Sequence, residues 1–206
     1  NMSKTSLQHG LRLRDAFELK NIIIDDSNIS FLSTEPDTDK TTFKNVENVV
    51  IGSSSPFFTT LNLRYGYQPN VDEEWSQLQM PNPYHNYGYS AFNLRTLDVS
   101  KCPNLTNLFI PYGLDSYEEG EKIYLESLNI SNTKLGRTQN LNDFIFVGPQ
   151  FKPDYYPDGH TLEIFANNVR DLQNNTCTLS LSDYLGLLTE WDDQGKTLII
   201  YTDNIS

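Results

Sequence analysis

Residues that carry out chemistry are scarce in this chain. Its 206 residues include two cysteines, Cys102 and Cys177, and three histidines, His9, His85 and His160. No His-x-x-His or Glu-x-x-His spacing occurs, so the donor pattern of a zinc site is missing. Pairing Cys177 with His160 as nucleophile and base would leave the base without a third, orienting group. Basic residues are also few: 15 Lys and Arg stand against 27 Asp and Glu, a net charge of −12. That balance repels polyphosphate and anionic lipid, and nucleic acid is not an expected partner. No apolar run approaches the ~18 residues of a membrane-spanning helix, and residues 1–10 lack the charged-then-apolar order of a signal peptide. Direct membrane insertion is therefore not expected.

What the chain has instead is a repeat. Leu94, then Leu97-x-Val99-x-x-Cys102, returns as Leu125-x-x-Leu128-x-Ile130-x-x-Thr133-x-Leu135 and as Leu162-x-Ile164-x-x-Asn167-x-Val169. Two apolar residues flanking an outward one make a short strand, and a small polar residue then turns the chain out of it. A unit this small buries its apolar face only against a copy of itself. A 37% hydrophobic composition is enough for one continuous core. One strand series pairs Val49/Ile51, Leu97/Val99, Leu128/Ile130, Leu162/Ile164 and Leu198/Ile200, followed by a polar ladder of Ser54, Cys102, Thr133, Asn167 and Asp203. Cys102 is thus read as a turn residue rather than half of a disulfide. A second series, Leu61/Leu63, Leu108/Ile110, Phe144/Phe146 and Leu179/Leu181, belongs on the opposite wall, and Leu11/Leu13 and Ile22/Ile24 extend the pattern toward the N-terminus. The expected fold is a β-rich solenoid of about five irregular coils over residues 11–206, with residues 1–10 a tail or junction.

Three long connections, 64–95, 111–124 and 147–160, follow second-series strands and open near Gly66, Gly113 and Gly148. Stacked coils would bring them out along one edge. They hold ten of the 12 tyrosines: Tyr65, Tyr67, Tyr84, Tyr87, Tyr89, Tyr112, Tyr117, Tyr124, Tyr155 and Tyr156, together with Trp75, His85 and His160. Tyrosine joins a large contact area to a hydrogen-bonding tip. The candidate binding residues are therefore Tyr65, Tyr67, Trp75, Tyr84, Tyr87, Tyr89, Tyr112, Tyr117, Tyr155 and Tyr156, against the alternative that these loops pack back on the coils. A second candidate surface is the first-series wall, whose outward residues run from Thr96, Asp98 and Ser100 through Ser127, Asn129 and Ser131 to Thr161, Glu163, Phe165, Thr197, Ile199 and Tyr201. It is polar at first and aromatic toward the C-terminus.

Other patterns carry less. Asp115-x-Tyr117-x-Glu119-Gly120 with Glu126 partly matches a calcium loop, but tyrosine supplies no carboxylate at its position and Glu126 precedes a strand rather than entering a helix. Asp72–Glu73–Glu74 and Glu118–Glu119 read as solvated surface. The Asn-x-Ser/Thr triplets at Asn28, Asn104, Asn129, Asn174 and Asn204 follow from the repeat's own composition. Ser182–Asp183 is expected to cap a helix whose face carries Leu185, Leu188 and Trp191 and which Gly195 ends. A shorter helix is expected over Glu73–Leu78, capped by Asn70 or Asp72.

The segments LRTLDVSKCPNLTNL (94–108) and LESLNISNTKL (125–135), with FELKNIIIDDSNI (17–29) and LEIFANNV (162–169), resemble the leucine-rich-repeat family, in particular repeats of bacterial surface proteins. The resemblance implies a curved, right-handed solenoid with a parallel sheet on its inner wall and a role in binding rather than catalysis; this chain departs from the family in its long loops on one edge and few short helices, and the two strand series put parallel strands on two walls. The spacing of 48 residues from Val49 to Leu97 and 31 from Leu97 to Leu128 exceeds the family's. An irregular structural domain of a phage virion would read the same way, and the few alanines, Ala16, Ala91 and Ala166, suit the AT-rich genomes of either source. Cell surface, extracellular space or virion are the favoured locations. Three functions follow: a non-catalytic recognition module for a protein or glycan, without cofactor; a structural domain of a virion or cell envelope, with neighbouring domains or subunits covering its C-terminal coil; and a carbohydrate-active enzyme using two acids in a groove. The first is the leading expectation, so the chain is not expected to be an enzyme.

Overall fold

A computed structural model describes residues 11–13, 18–30, 32–34, 45–63, 93–110, 122–141, 144 and 151–206. Strands β2 (Asn21–Ser27), β4 (Asn48–Ser53), β6 (Thr96–Lys101), β8 (Ser127–Asn129), β9 (Thr161–Phe165) and β10 (Thr197–Tyr201) form a six-stranded sheet in chain order. Strands β1 (Leu11–Leu13), β3 (Leu32–Thr34), β5 (Thr60–Asn62) and β7 (Asn107–Phe109) form a four-stranded sheet, also in chain order. Every strand pair in both sheets is parallel. Parallel neighbours need a crossover between them, and from β1 to β7 that crossover runs through the other sheet.

The alternation in the sequence explains the core. Ile22, Ile24, Val49, Ile51, Leu97, Val99, Leu128, Ile130, Leu162, Ile164, Leu198 and Ile200 are all buried on the inner side of the large sheet. Each such side chain contributes about 1.5–3 kcal/mol when fully buried. Leu32, Leu61, Leu63, Leu108 and Ile110 meet them from the second wall. The register of β9 corrects the expected alignment: Leu128 lies beside Ile164, not Leu162, because β9 starts two residues ahead of β8 and the two strands end level, Asn129 beside Phe165. Strand β3 falls outside both expected series, since Leu32 has no apolar partner at the two-residue period. Leu181 does not continue the second wall. It begins the helix and is exposed; the four-stranded sheet ends at β7, and isolated bridges such as Leu179 to Ile205 follow.

Polar groups at the turns satisfy the backbone. Ser27 Oγ donates to the Gly52 carbonyl at 3.0 Å, Ser53 Oγ to Ile29 O at 2.9 Å, Cys102 Sγ to Ile51 O at 3.0 Å and Thr133 Oγ1 to Ile130 O at 2.6 Å. The buried ladder residue of its coil is thus Ser53, not the exposed Ser54, and Asp203 is exposed as well. Both cysteines are free and buried, and burial pushes the Cys102 thiol up to about 12, which keeps it a neutral donor. Asn132 and Asn168 take left-handed backbone angles, φ 59° and 53°, and Asn168 Nδ2 donates to Asn132 Oδ1 at 3.0 Å. Asparagine tolerates that conformation better than most residues.

Helix α1 (Leu181–Asp193) is capped at Ser180, two residues before the expected cap; its hydroxyl bonds Ser182 Oγ instead of the helix backbone. Leu187 and Trp191 are its buried residues, with Tyr184 and Leu188 partly so, while Leu185 faces solvent. Leu185 therefore does not belong to the packing face. Gly195, at φ 66°, ends the helix as expected, with the Lys196 amide bonded to Trp191 O at 2.9 Å. The helix packs at the β10 end of the sheet, where the Ile200 amide donates to Tyr184 Oη at 3.3 Å. The apolar end expected for a neighbour is thus closed in part by the chain itself.

Candidate functional site

The outward face of the six-stranded sheet changes character from one end to the other. At the β2 end its groups bind each other. Asn48 Nδ2 donates to Asn21 Oδ1 at 2.8 Å, and Thr96 Oγ1 donates to Asn48 Oδ1 at 2.7 Å. Lys101 reaches from β6 across β4 to pair with Asp25 of β2 at 2.8 Å. Gly52 permits this crossing: a Cβ there would lie 2.7 Å from Asp25 Oδ1 and 3.2 Å from the Asp26 amide nitrogen. The Lys101 hydrogen bond holds the Asp25 carboxyl below its ordinary range, and the same bond raises the Lys101 ammonium. Along the strand entrances, Lys20 pairs with Glu47 at 3.1 Å and Arg95 with Glu126 at 2.7 Å, with the Arg95 guanidinium 5.1 Å from the Tyr124 ring centre.

The β10 end is different. Register sets Glu163 beside Ile199 and Phe165 beside Tyr201, four outward side chains at the corners of a square. Phe165 and Tyr201 stack with ring centres 4.7 Å apart and planes 11° from parallel. The Tyr201 hydroxyl leans diagonally to donate to Glu163 Oε1 at 3.0 Å, a bond that raises the phenol above its ordinary range. Tyr201 is 42% exposed, and Phe165 is half-buried. The two-residue alternation already places Phe165 and Tyr201 outward; their pairing needs the register.

The tyrosine loops fare unevenly. Tyr65, Tyr67, Trp75, Tyr84, Tyr87, Tyr89, Tyr112 and Tyr117 lie outside the described residues, as do His9, His85, the helix expected over 73–78 and Asp115 to Gly120 of the calcium-like pattern. Tyr156 is fully buried, packed on Trp191 at 4.8 Å and His160 at 5.0 Å, so it is a core residue and not a contact for a partner. Its burial follows from the one-turn 3-10 helix Pro153–Tyr155, which folds this loop inward; Tyr155 packs partly against the same core. His160 is buried too, its Nε2 2.7 Å from Leu125 O. Glu126 is engaged by Arg95. Asn129 sits in a strand, its Oδ1 accepting from the Ser131 amide at 3.2 Å.

Among the described residues, no group of three or more His, Cys, Asp or Glu is placed to hold a metal ion, and no helix is long and apolar enough to cross a membrane. Compared with protein-family models, curated proteins and solved structures, the chain matches none.

Proposed function

We propose that the chain is a leucine-rich-repeat-like solenoid that acts as a non-catalytic recognition module, holding a protein or glycan against the outward face of its six-stranded sheet. Two ordered parallel sheets with strands visited alternately are the arrangement a solenoid requires, which supports the fold half of the reading. The observation that carries the functional half is the Phe165–Tyr201 stack, in which Phe165 is half-buried and Tyr201 exposed. The other end also leaves apolar area, with Ile23 of β2 39% exposed, but its described outward residues include no aromatic ring; aromatic area left in water favours a contact surface. The tyrosines of loops 64–95 and 111–124 would extend that surface at the edge.

One observation favours a second reading, a structural domain in a larger assembly. Leu181 and Leu185, one helical turn apart, are 48% and 53% exposed, and the Leu181 amide bonds Ser206 O beside the exposed Ile205. That patch has the composition of a subunit contact. Light scattering on the intact chain separates the two. A monomer, unchanged by Leu181→Ser with Leu185→Ser, is the expected result. An assembly that dissociates on those substitutions would replace recognition with the structural reading.

A further inference from the structure

Consider what the square of Glu163, Ile199, Phe165 and Tyr201 asks of a ligand. Its floor is apolar, its two rings are held parallel and face to face by stacking, and its one charge is a carboxylate fixed by the Tyr201 hydroxyl. An anionic group is repelled by Glu163 and by a chain of net charge −12. A purely apolar group would cover the carboxylate without satisfying it. A planar cation on an alkyl stem satisfies every part: the stem lies on Ile199, the head stacks on an aromatic face, and its N–H groups donate to Glu163. Among the described strand residues of the six-stranded sheet, Lys101 is the one cation, and it is engaged by Asp25 at the far end of the sheet.

We infer that Glu163, Ile199, Phe165 and Tyr201 form a subsite for an arginine side chain on a basic segment of a protein partner. Guanidinium fits better than ammonium because it is flat, weakly hydrated and forked, so it stacks and donates at once. Residues of β8 beside the square, Ser127 and Asn129, offer only neutral polar groups to the flanking peptide. The inference rests on the sheet face being the recognition surface, and names what that surface takes.

The test is an amide and aromatic NMR titration of the intact chain with a serine-rich peptide bearing one arginine. The same peptide with citrulline, which keeps the shape and loses the charge, is the control, and a neutral cello-oligosaccharide forms a third arm. Arginine peptide should shift β9 and β10 amides and the Phe165 and Tyr201 ring protons. Citrulline should bind more weakly, and Glu163→Gln should weaken arginine binding about threefold to fivefold while leaving the rest of the spectrum in place. Equal binding of arginine and citrulline, or no shift at β9 and β10, overturns the inference. Shifts there from the oligosaccharide alone also overturn it, yet leave the sheet face standing as a recognition surface. Loss of both would require, in addition, the assembly and its dissociation by the leucine substitutions described above.

Discussion

The two ends of one sheet face solve the same problem in opposite ways. At β2, β4 and β6, outward groups are consumed by each other, in the Asn21–Asn48–Thr96 chain of hydrogen bonds and the Lys101–Asp25 bridge over Gly52. At β9 and β10 the face carries stacked aromatic rings and half-exposed apolar area, beyond the single bond from Tyr201 to Glu163. The first end satisfies those polar groups itself, though Ile23 of β2 is 39% exposed. The second leaves surface whose cost in water is recovered only when something covers it. The contrast teaches that a uniform strand geometry carries no function by itself; the rows of outward residues do.

The largest expected effect is on what lies beneath the open end. Trp191 is fully buried, packs at a tilt against Tyr156 and donates from Nε1 to Phe151 O at 3.2 Å, joining α1 to the segment that leads into β9. Trp191→Ala should cost about 3–5 kcal/mol in urea denaturation. If the two ends are as separate as their surfaces, hydrogen exchange in that variant should rise first in β9, β10 and α1, with β2 and β4 still protected. Uniform loss of protection would mean that the ends fold as one unit and differ only at the surface.

Glycine substitution sharpens the comparison with the next largest effect. Gly52→Ala puts a methyl group against Asp25 Oδ1 and the Asp26 backbone, next to a left-handed residue already at φ 48°, and should cost about 1–3 kcal/mol while loosening the Lys101 bridge. Gly186, on the exposed side of α1, has open space for at least 4 Å around the position a Cβ would take, so Gly186→Ala should instead raise stability by about 0.5–1 kcal/mol through helix propensity. Thermal denaturation of the two variants checks both signs at once. A stable Gly52→Ala would show that the bridge rearranges freely and that the β2 end is less closed than its bonds imply.

How much of this is legible in the sequence differs by element. The six strands of the large sheet follow from pairs such as Leu97/Val99 and Ile22/Ile24, because one wall facing a core imposes the two-residue period. The shift at β9 is not legible: Leu162, Ile164 and Ala166 are all inward, and the pattern alone does not say which of them meets Leu128. The ladder residue slips from Ser54 to Ser53 for a related reason, since Ser53, Ser54 and Ser55 are chemically alike and only the local bulge between β2 and β4 chooses among them. For the candidate site, residue type misleads at Tyr156. A tyrosine in a loop and a tyrosine in a core read alike until Trp191, far along the chain, is known to pack on it.

The smallest effects concern charge, and they separate the ends by pH. At the closed end Asp25 is depressed below 3.8, chiefly by the Lys101 bond, so its contribution is present above that value and fades as pH falls through the lowered one. Lys101 is raised above 10.5 by the same bond, so its share is present below 10.5 and is lost as pH climbs through the raised value. Lys101→Met should return the Asp25 carboxyl to its ordinary titration in a carbon-detected NMR experiment. At the open end the Tyr201 phenol is raised above 10.0, first by its bond to Glu163, and its contribution likewise persists below 10.0 and fades at higher pH. Glu163→Gln keeps an acceptor but removes the charge, so the phenol should titrate nearer its ordinary value by ultraviolet difference spectroscopy, with little change in stability. If instead Glu163→Gln leaves the Tyr201 titration unmoved, the carboxylate is not held at the ring, and the open end lacks the fixed charge on which its selectivity for a cation depends.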